Sequence, residues 1–214
     1  MLTQTTNKFI YVDVGCNGRI SDGGVFRNST FSEALEQNTL NIPPAEPLPV
    51  RIFPCPYVIV ADDVFPLKTY LMKPHNSKEL DLDKRIFYYR LSRVRRIVEN
   101  AFGILANRFR VFLSPIALAP EKVEKLTLAA LCLNNMLRVN QGMGYMPPGS
   151  IDQDDFANKK VIPGEWRSGA SNGSFQPLSQ QGSNRYSLNA KAVRDECTEY
   201  FDTNGQVEWQ WGMI

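Results

Sequence analysis

YVIVADD, residues 57–63, is the stretch on which the fold reading turns. Tyr57 to Ala61 is apolar on both faces and rich in β-branched residues, the pattern of a buried central strand. It stops at two acids, Asp62 and Asp63. Upstream, KFIYVDVG (8–15) alternates Phe9, Tyr11 and Asp13 with Ile10, Val12 and Val14, and reads as a second strand. Strands interleaved with helical segments predict an α/β domain, with the 8–15 strand beside the 57–61 strand and helices on the sheet. Two strands do not make a stable sheet, so either further strands are present or the chain begins partway through a domain, and the strand lying so near Met1 favours the second.

The helical segments follow from apolar spacing. In 84–107, Ile86, Phe87, Val94, Ile97, Val98, Ala101 and Leu105 form a stripe near the 3.6-residue period. A second long helix is expected over 121–137 after Pro120, apolar at Leu126, Leu128, Leu131 and Leu133. Shorter helices are expected over 25–37 and, opened by Pro66, through LKTYLM (67–72). Residues 41–56 hold six prolines and are read as a linker. From Gly142 to about 187 the chain is rich in Gly, Ser, Pro, Asn and Gln, which predicts loop or disorder. A last helix is expected over 188–202, ahead of the aromatic end VEWQWGMI. The expected division is therefore 1–138, a loop-rich 139–187, and a C-terminal helix and tail over 188–214.

Composition removes several function classes. The chain has 214 residues, 43% hydrophobic and 21% charged, which is ordinary globular material. No run approaches 18 apolar residues, so no membrane span is expected. The four cysteines, Cys16, Cys55, Cys132 and Cys197, lack CxxC spacing, and His75 is the one histidine. A Cys/His zinc site is thereby close to excluded. Any Ser-His or Cys-His nucleophile has to use His75. The thiols read as reduced and intracellular.

Net charge is +2 but unevenly spread. Residues 84–110 carry eight basic side chains against Glu99, so this segment holds 8 − 1 = +7 and the rest 2 − 7 = −5. Arg90, Arg93, Arg95 and Arg96 are its densest part. Such a run is either a solvated helix face or a phosphate-holding surface.

Three carboxylates stand out: Asp62 at the end of the buried strand, Glu99 within the cationic helix, and Asp22 in a glycine-rich loop. Carboxylates from separate elements can converge on a hard divalent cation. Each also has a plainer reading. Asp62 fits a turn or helix cap, Glu99 a surface ion pair with the arginines one turn before it, and Asp22 the turn before Gly23-Gly24.

VDVGCNGRISDGGVFRNS (12–29), VIVADDVFPLKTYLMKP (58–74) and RLSRVRRIVENAFGILANRFRVFLSPI (90–116) resemble successive blocks of the PIF/Harbinger transposase family and its domesticated, transposase-derived nucleases. The likeness covers about 7–138, and AKAVRDECTEYFDTNGQVEWQW (190–211) resembles the tails of family members. The resemblance implies a DDE nuclease domain of ribonuclease-H-like fold, a mixed sheet with packed helices, followed here by a loop-rich tail. It implies divalent metal, Mg or Mn, held by carboxylates. By the family's G-D-x-x-Y-P block, Asp62 takes the second catalytic position, with Asp63 as the alternative. By R-x-x-V-E-x-x-F-G, Glu99 takes the glutamate position, and by G-x-x-H-D, Asp22 is a metal ligand, with Ser21 where the family has His.

What the family places upstream has no counterpart here. Its first catalytic Asp is missing, and its L-H-N is Leu133-Asn134-Asn135. The resemblance therefore implies an N-terminally truncated nuclease domain, inactive in this form. The alternative is a non-catalytic DNA- or protein-binding remnant of a domesticated transposase. Either way DNA is the implied partner, held by Arg93 and Arg96 with Arg90 and Arg95 near. A Myb-like or trihelix protein is the implied protein partner, and the nucleus the implied location, with the cytoplasm as the second. The expected site has Asp62 and Glu99 facing across a cleft, with Asp22 nearby.

Overall fold

The computed structural model describes residues 1–3, 6–76, 81–168 and 186–214. In chain order the elements are β1 (Leu2–Thr3), β2 (Phe9–Tyr11), α1 (Asp22–Arg27), α2 (Thr30–Glu36), β3 (Glu46–Pro47), β4 (Pro54–Cys55), β5 (Ile59–Val60) and β6 (Leu71–Met72). They continue as α3 (Leu82–Arg108), α4 (Pro120–Gln141), β7 (Gln153–Asp155), β8 (Lys160–Ile162) and α5 (Leu188–Asp202). Short 3-10 turns follow α3 at Arg110–Leu113 and close the chain at Glu208–Gly212. The mixed α/β class is as expected. No helix among the described residues is long and apolar enough to cross a membrane.

Strand pairing departs from expectation. Among the described residues the strands form four two-stranded sheets: β1–β2, β3–β4, β5–β6 and β7–β8. The 57–61 strand does not pair with 8–15. Its partner is Leu71–Met72, in parallel, with Ile59 opposite Leu71 and Val60 opposite Met72. The segment LKTYLM is thus a turn and a strand rather than a helix. β5 offers the backbone of Tyr70 and Met72 a ladder, and that pairing takes the place of a helix here. The 25–37 helix is two helices, because Ser29 caps α2 by accepting from the Ser32 N–H at 3.1 Å. The proline-rich linker carries the β3–β4 pair.

The loop-rich stretch after 138 is mostly loop as far as Ser168, but α4 runs on to Gln141, and β7 and β8 form a hairpin. The remainder of that stretch, 169–185, lies outside the described residues.

Two compact units emerge, Met1–Asn17 with Arg96–Leu178, and Gly18–Arg95 with Ser179–Ile214. The boundary falls inside α3, and Ser179–Ile214 is grouped with the second unit. In the first unit, Phe9, Ala101, Leu105, Ala130 and Leu131 form the core, edged by Val12, Phe102, Phe109 and Phe112. Asn135 of α4 grips β2 like an added strand: its Nδ2 donates to the Phe9 carbonyl at 2.7 Å, and its Oδ1 accepts the Phe9 N–H at 3.0 Å. In the second unit, Leu67, Met72, Phe87, Leu91 and Ala190 pack together, with Val58, Val60, Val193, Cys197 and Phe201 around them.

Phe87 is fully buried at the centre of that second cluster. Phe87→Ala is expected to destabilise the second unit by about 3–5 kcal/mol, read as a lowered urea midpoint by circular dichroism. A loss under about 1 kcal/mol would mean that the site is not the packed core described.

Candidate active site

In the second unit, Asp62 sits where the strand reading put it, just beyond the C-terminal end of β5, the edge at which open parallel sheets place their sites. The last ladder bond of that strand runs from the Ala61 N–H to the Met72 carbonyl at 2.8 Å. Asp62 then opens a turn. Its Oδ1 accepts the Asp63 N–H at 2.7 Å, and its carbonyl accepts the Phe65 N–H at 3.1 Å. Its Oδ2 accepts from Arg95 Nη2 at 2.8 Å. Asp63 alongside is pushed toward the neutral acid by burial, and further by Asp62; Arg95 and Lys73 pull the other way. The Lys73 ammonium donates to the Asp63 carbonyl at 3.0 Å.

Asp22 is the first residue of α1, behind the Ser21 cap, where a negative charge suits the helix dipole. Its helix touches the Asp62 turn. A Cβ on Gly23 would stand 2.7 Å from the Val64 carbonyl oxygen, so only glycine allows that approach. Phe26 meets Phe65 edge to face at 5.7 Å. The segments bearing Asp22 and Asp62 are therefore brought together.

Glu99 belongs to the first unit. Its Oε2 accepts from Arg167 Nη2 at 3.3 Å, and Arg167 also donates through Nε and Nη2 to the buried Asp152. Asn100 Oδ1 accepts two donors, the Asp152 N–H at 3.0 Å and Trp166 Nε1 at 2.9 Å. The Trp166 ring lies against Gly103, where any Cβ would collide with it. Arg96 is committed to Asp154 at 2.8 Å in a largely buried pair. Burial opposes charge on Asp152, yet Arg167, the Gly164 N–H and Arg96 outweigh it and hold the carboxyl below its usual range.

Arg90 and Arg93 of the cationic segment also have internal partners. Arg90 stacks over Phe201 and Trp209 and reaches Gln210, and Arg93 lies 4.4 Å over Trp209. The aromatic end of the chain is thus what covers them. Sequence reasoning missed Arg167, Asp152 and Trp166 because they lie in the stretch read as loop. One signal was available: a glycine inside a helix, Gly103, costs about 1 kcal/mol and marks a close approach.

His75 makes no nucleophile. Thr198 Oγ1 donates to the Arg194 carbonyl at 2.8 Å, so the 2.9 Å contact between His75 Nε2 and that oxygen has the imidazole donating. Burial, then Arg194, pushes its pKa down to about 4. Cys55 and Cys197 are free thiols with their sulfurs 3.9 Å apart, and burial raises both, Cys197 to about 12.

A family model described as DDE superfamily endonuclease matches residues 1–135. The chain belongs to the DDE superfamily of endonucleases. No curated protein and no solved structure matches it. Endonucleases of this superfamily generally use divalent metals. Asp22, Asp62 and Glu99 have the right chemistry for such ions, since hard cations take carboxylate oxygens. The arrangement does not fit as it stands. Asp62 and Glu99 are each turned to an arginine, and no group of three His, Cys, Asp or Glu able to hold an ion occurs among the described residues.

Because the folded imidazole titrates near 4 and an ordinary one near 6.5, the unfolded chain takes up the proton first. The second unit should therefore lose stability as pH falls from about 6.5 to about 4, and no further from this cause below that. His75→Gln should flatten that slope in melting temperature measured against pH; an unchanged slope would show that His75 is not its source. In the first unit, Asp152 contributes stability above its ordinary value near 3.8 that is lost as pH falls through its lower folded value. Asp152→Asn should remove that acid sensitivity while lowering stability at pH 7.

Proposed function

We propose that this DDE-superfamily chain is a transposase-derived DNA endonuclease of the Harbinger type that, in the form described, holds DNA without cutting it. The observation that carries the reading is the state of the two carboxylates. Asp62 stands at a parallel strand's C-terminal edge and Glu99 on the cationic helix, and each is neutralised by an arginine, Arg95 and Arg167.

Magnitudes decide how much that pairing matters. Both ion pairs are about half exposed, so parting either costs only about 0–1 kcal/mol. The arginines alone would be a weak bar to a cation. Within the second unit the stronger bar is that Asp63, the carboxyl next to Asp62, is biased toward its neutral form. Bound Mg²⁺ or Mn²⁺ would supply the activation of water or a 3′-hydroxyl for phosphodiester hydrolysis or strand transfer. The chain's own residues then have the tasks of holding phosphate and placing the backbone.

For that task the cationic segment supports sequence-independent binding. Arg96 is drawn away into its pair with Asp154. Arg93, flat on Trp209, has a fixed plane from which to reach phosphate. Arg85 and Arg110 are exposed at the two ends of the segment. On this reading the chain works in the nucleus, beside a Myb-like or trihelix protein that supplies sequence choice. A second reading, a remnant that binds a protein rather than DNA, is favoured by the number of arginines already engaged internally.

Supercoiled plasmid with Mg²⁺ or Mn²⁺ should stay intact in the presence of the full chain. Nicking that Asp62→Ala or Glu99→Gln abolishes would overturn the non-cutting half of the proposal. Arg85→Ala with Arg110→Ala should weaken binding to all duplexes alike and lower the salt slope by roughly two in fluorescence anisotropy. Absence of any salt-dependent DNA binding would favour the protein-binding reading.

A further inference from the structure

The middle of helix α4, Leu126 to Val139, is rich in apolar residues, and only one side of it is used. Ala130, Leu131 and Asn134 are buried within its own unit. The opposite side leaves Leu128 at 43%, Leu133 at 44%, Met136 at 50% and Val139 at 65% exposed. Ala129 and Cys132 are exposed between them. At 100° per residue, these six side chains fall within an arc of about 140°, along about 16 Å of helix. Ala129, Cys132, Met136 and Val139 follow a 3-4-3 spacing, that of a helix-to-helix seam. A helix apolar on every side is a helix with something packed on every side.

Charge narrows what that something is. From Leu128 to Val139 the only charged residue is Arg138, and its guanidinium is tied to the carbonyls of Thr6 and Gly142. Between Leu128 and Val139 phosphate and acidic peptides find no cation on this seam; the nearest on that side, Lys125, lies one turn before it. A lipid surface wants a helix with a cationic polar face, whereas the far side of α4 is protein core. The occupant has to be a neutral, apolar helix with matching spacing. Among the described residues no other helix presents one: the exposed apolar residues of α3 are Leu82, Tyr88 and Val94, six apart, and that of α5 is Leu188.

We propose that the occupant is a second copy of this chain, with two α4 helices packed antiparallel about a two-fold axis level with residue 134, so that Ala129 faces Val139 and Cys132 faces Met136. An isologous pair sets the same apolar patch against itself, and antiparallel packing aligns the helix dipoles favourably. The exposed side chains offer on the order of 500 Å² per copy, as large as the biggest apolar patch of a typical monomer. A pair then covers about 1,000 Å², the size at which specific interfaces begin. That size gives a modest, concentration-dependent dimer. The inference does not depend on the nuclease reading, since no step of it uses DNA or a carboxylate.

Sedimentation velocity of the full chain, from about 1 to about 100 μM, tests it directly. The expected result is a monomer–dimer equilibrium within that range. Met136→Glu with Val139→Glu should weaken it roughly a hundredfold or more, because an unpaired charge would be buried at the seam. Leu188→Glu, an exposed apolar residue elsewhere, should leave it unchanged. The unaltered chain carries its own second readout. Cys132 lies on the seam and Cys16 is an exposed thiol outside it. Alkylation by iodoacetamide, mapped by peptide mass, should slow at Cys132 relative to Cys16 as concentration rises. A chain that stays monomeric at 100 μM, or a dimer in which Cys132 is as reactive as before, would overturn the proposal.

Discussion

Like charges crowded on one helix are the constraint from which the rest of this structure follows. Residues 84–110 hold eight cationic side chains and one acid. Left to themselves they would repel along α3 and weaken it. The fold answers with counter-groups drawn from distant parts of the chain. Asp62 meets Arg95, Asp154 meets Arg96, and Phe201 and Trp209 lie under Arg90 and Arg93. Exposed ion pairs each contribute little, about 0–1 kcal/mol, and cation–π contacts about 0.5–2 kcal/mol. Arg96 with Asp154 is different. Both are largely buried, so removing one partner strands a charge, at about 3–5 kcal/mol.

That arrangement explains why the aromatic tail and the loop after α4 are ordered as far as they are described. Apolar burial contributes too: Tyr145 and Met146 of the loop pack on Ile104, and Trp209 of the tail meets Tyr89 edge to face. The tail is held by guanidinium faces, and the loop by Asp152, Arg167 and the two hydrogen bonds to Asn100. A polar network of this kind is stable only when complete, since each unmet buried group carries its full desolvation cost. Trp166 resting on Gly103 closes the network on the apolar side.

The long helices were legible in the sequence because apolar periodicity over twenty residues leaves no competing reading. The stripe expected over 84–107 became Leu82–Arg108, that over 121–137 became Pro120–Gln141, and Leu188–Asp202 stands as expected. Strand pairing was not legible. β5 and β6 contribute two residues each to their ladder, and neither segment carries an alternation long enough to name its partner. The site was legible in part. The turn chemistry of Asp62 and the cap position of Asp22 follow from local sequence, but the arginines set on Asp62 and Glu99 do not. Arg167 is 68 residues from Glu99, and nothing near either residue announces the other.

The clamp of Asn135 on β2 ties the fate of one element to the register of another. Phe9 is held in place by a side-chain amide of α4 as well as by its own ladder with β1. A single codon inserted in α4 upstream of Asn135 would turn that amide by about 100° around the helix and carry it off the strand. The N-terminal arm would then come loose although none of its own residues had changed. A one-residue change of length within α4 is therefore as disruptive to this arm as loss of Asn135 itself, whereas an insertion after Asn135 or in the loop before Pro120 leaves the clamp in register.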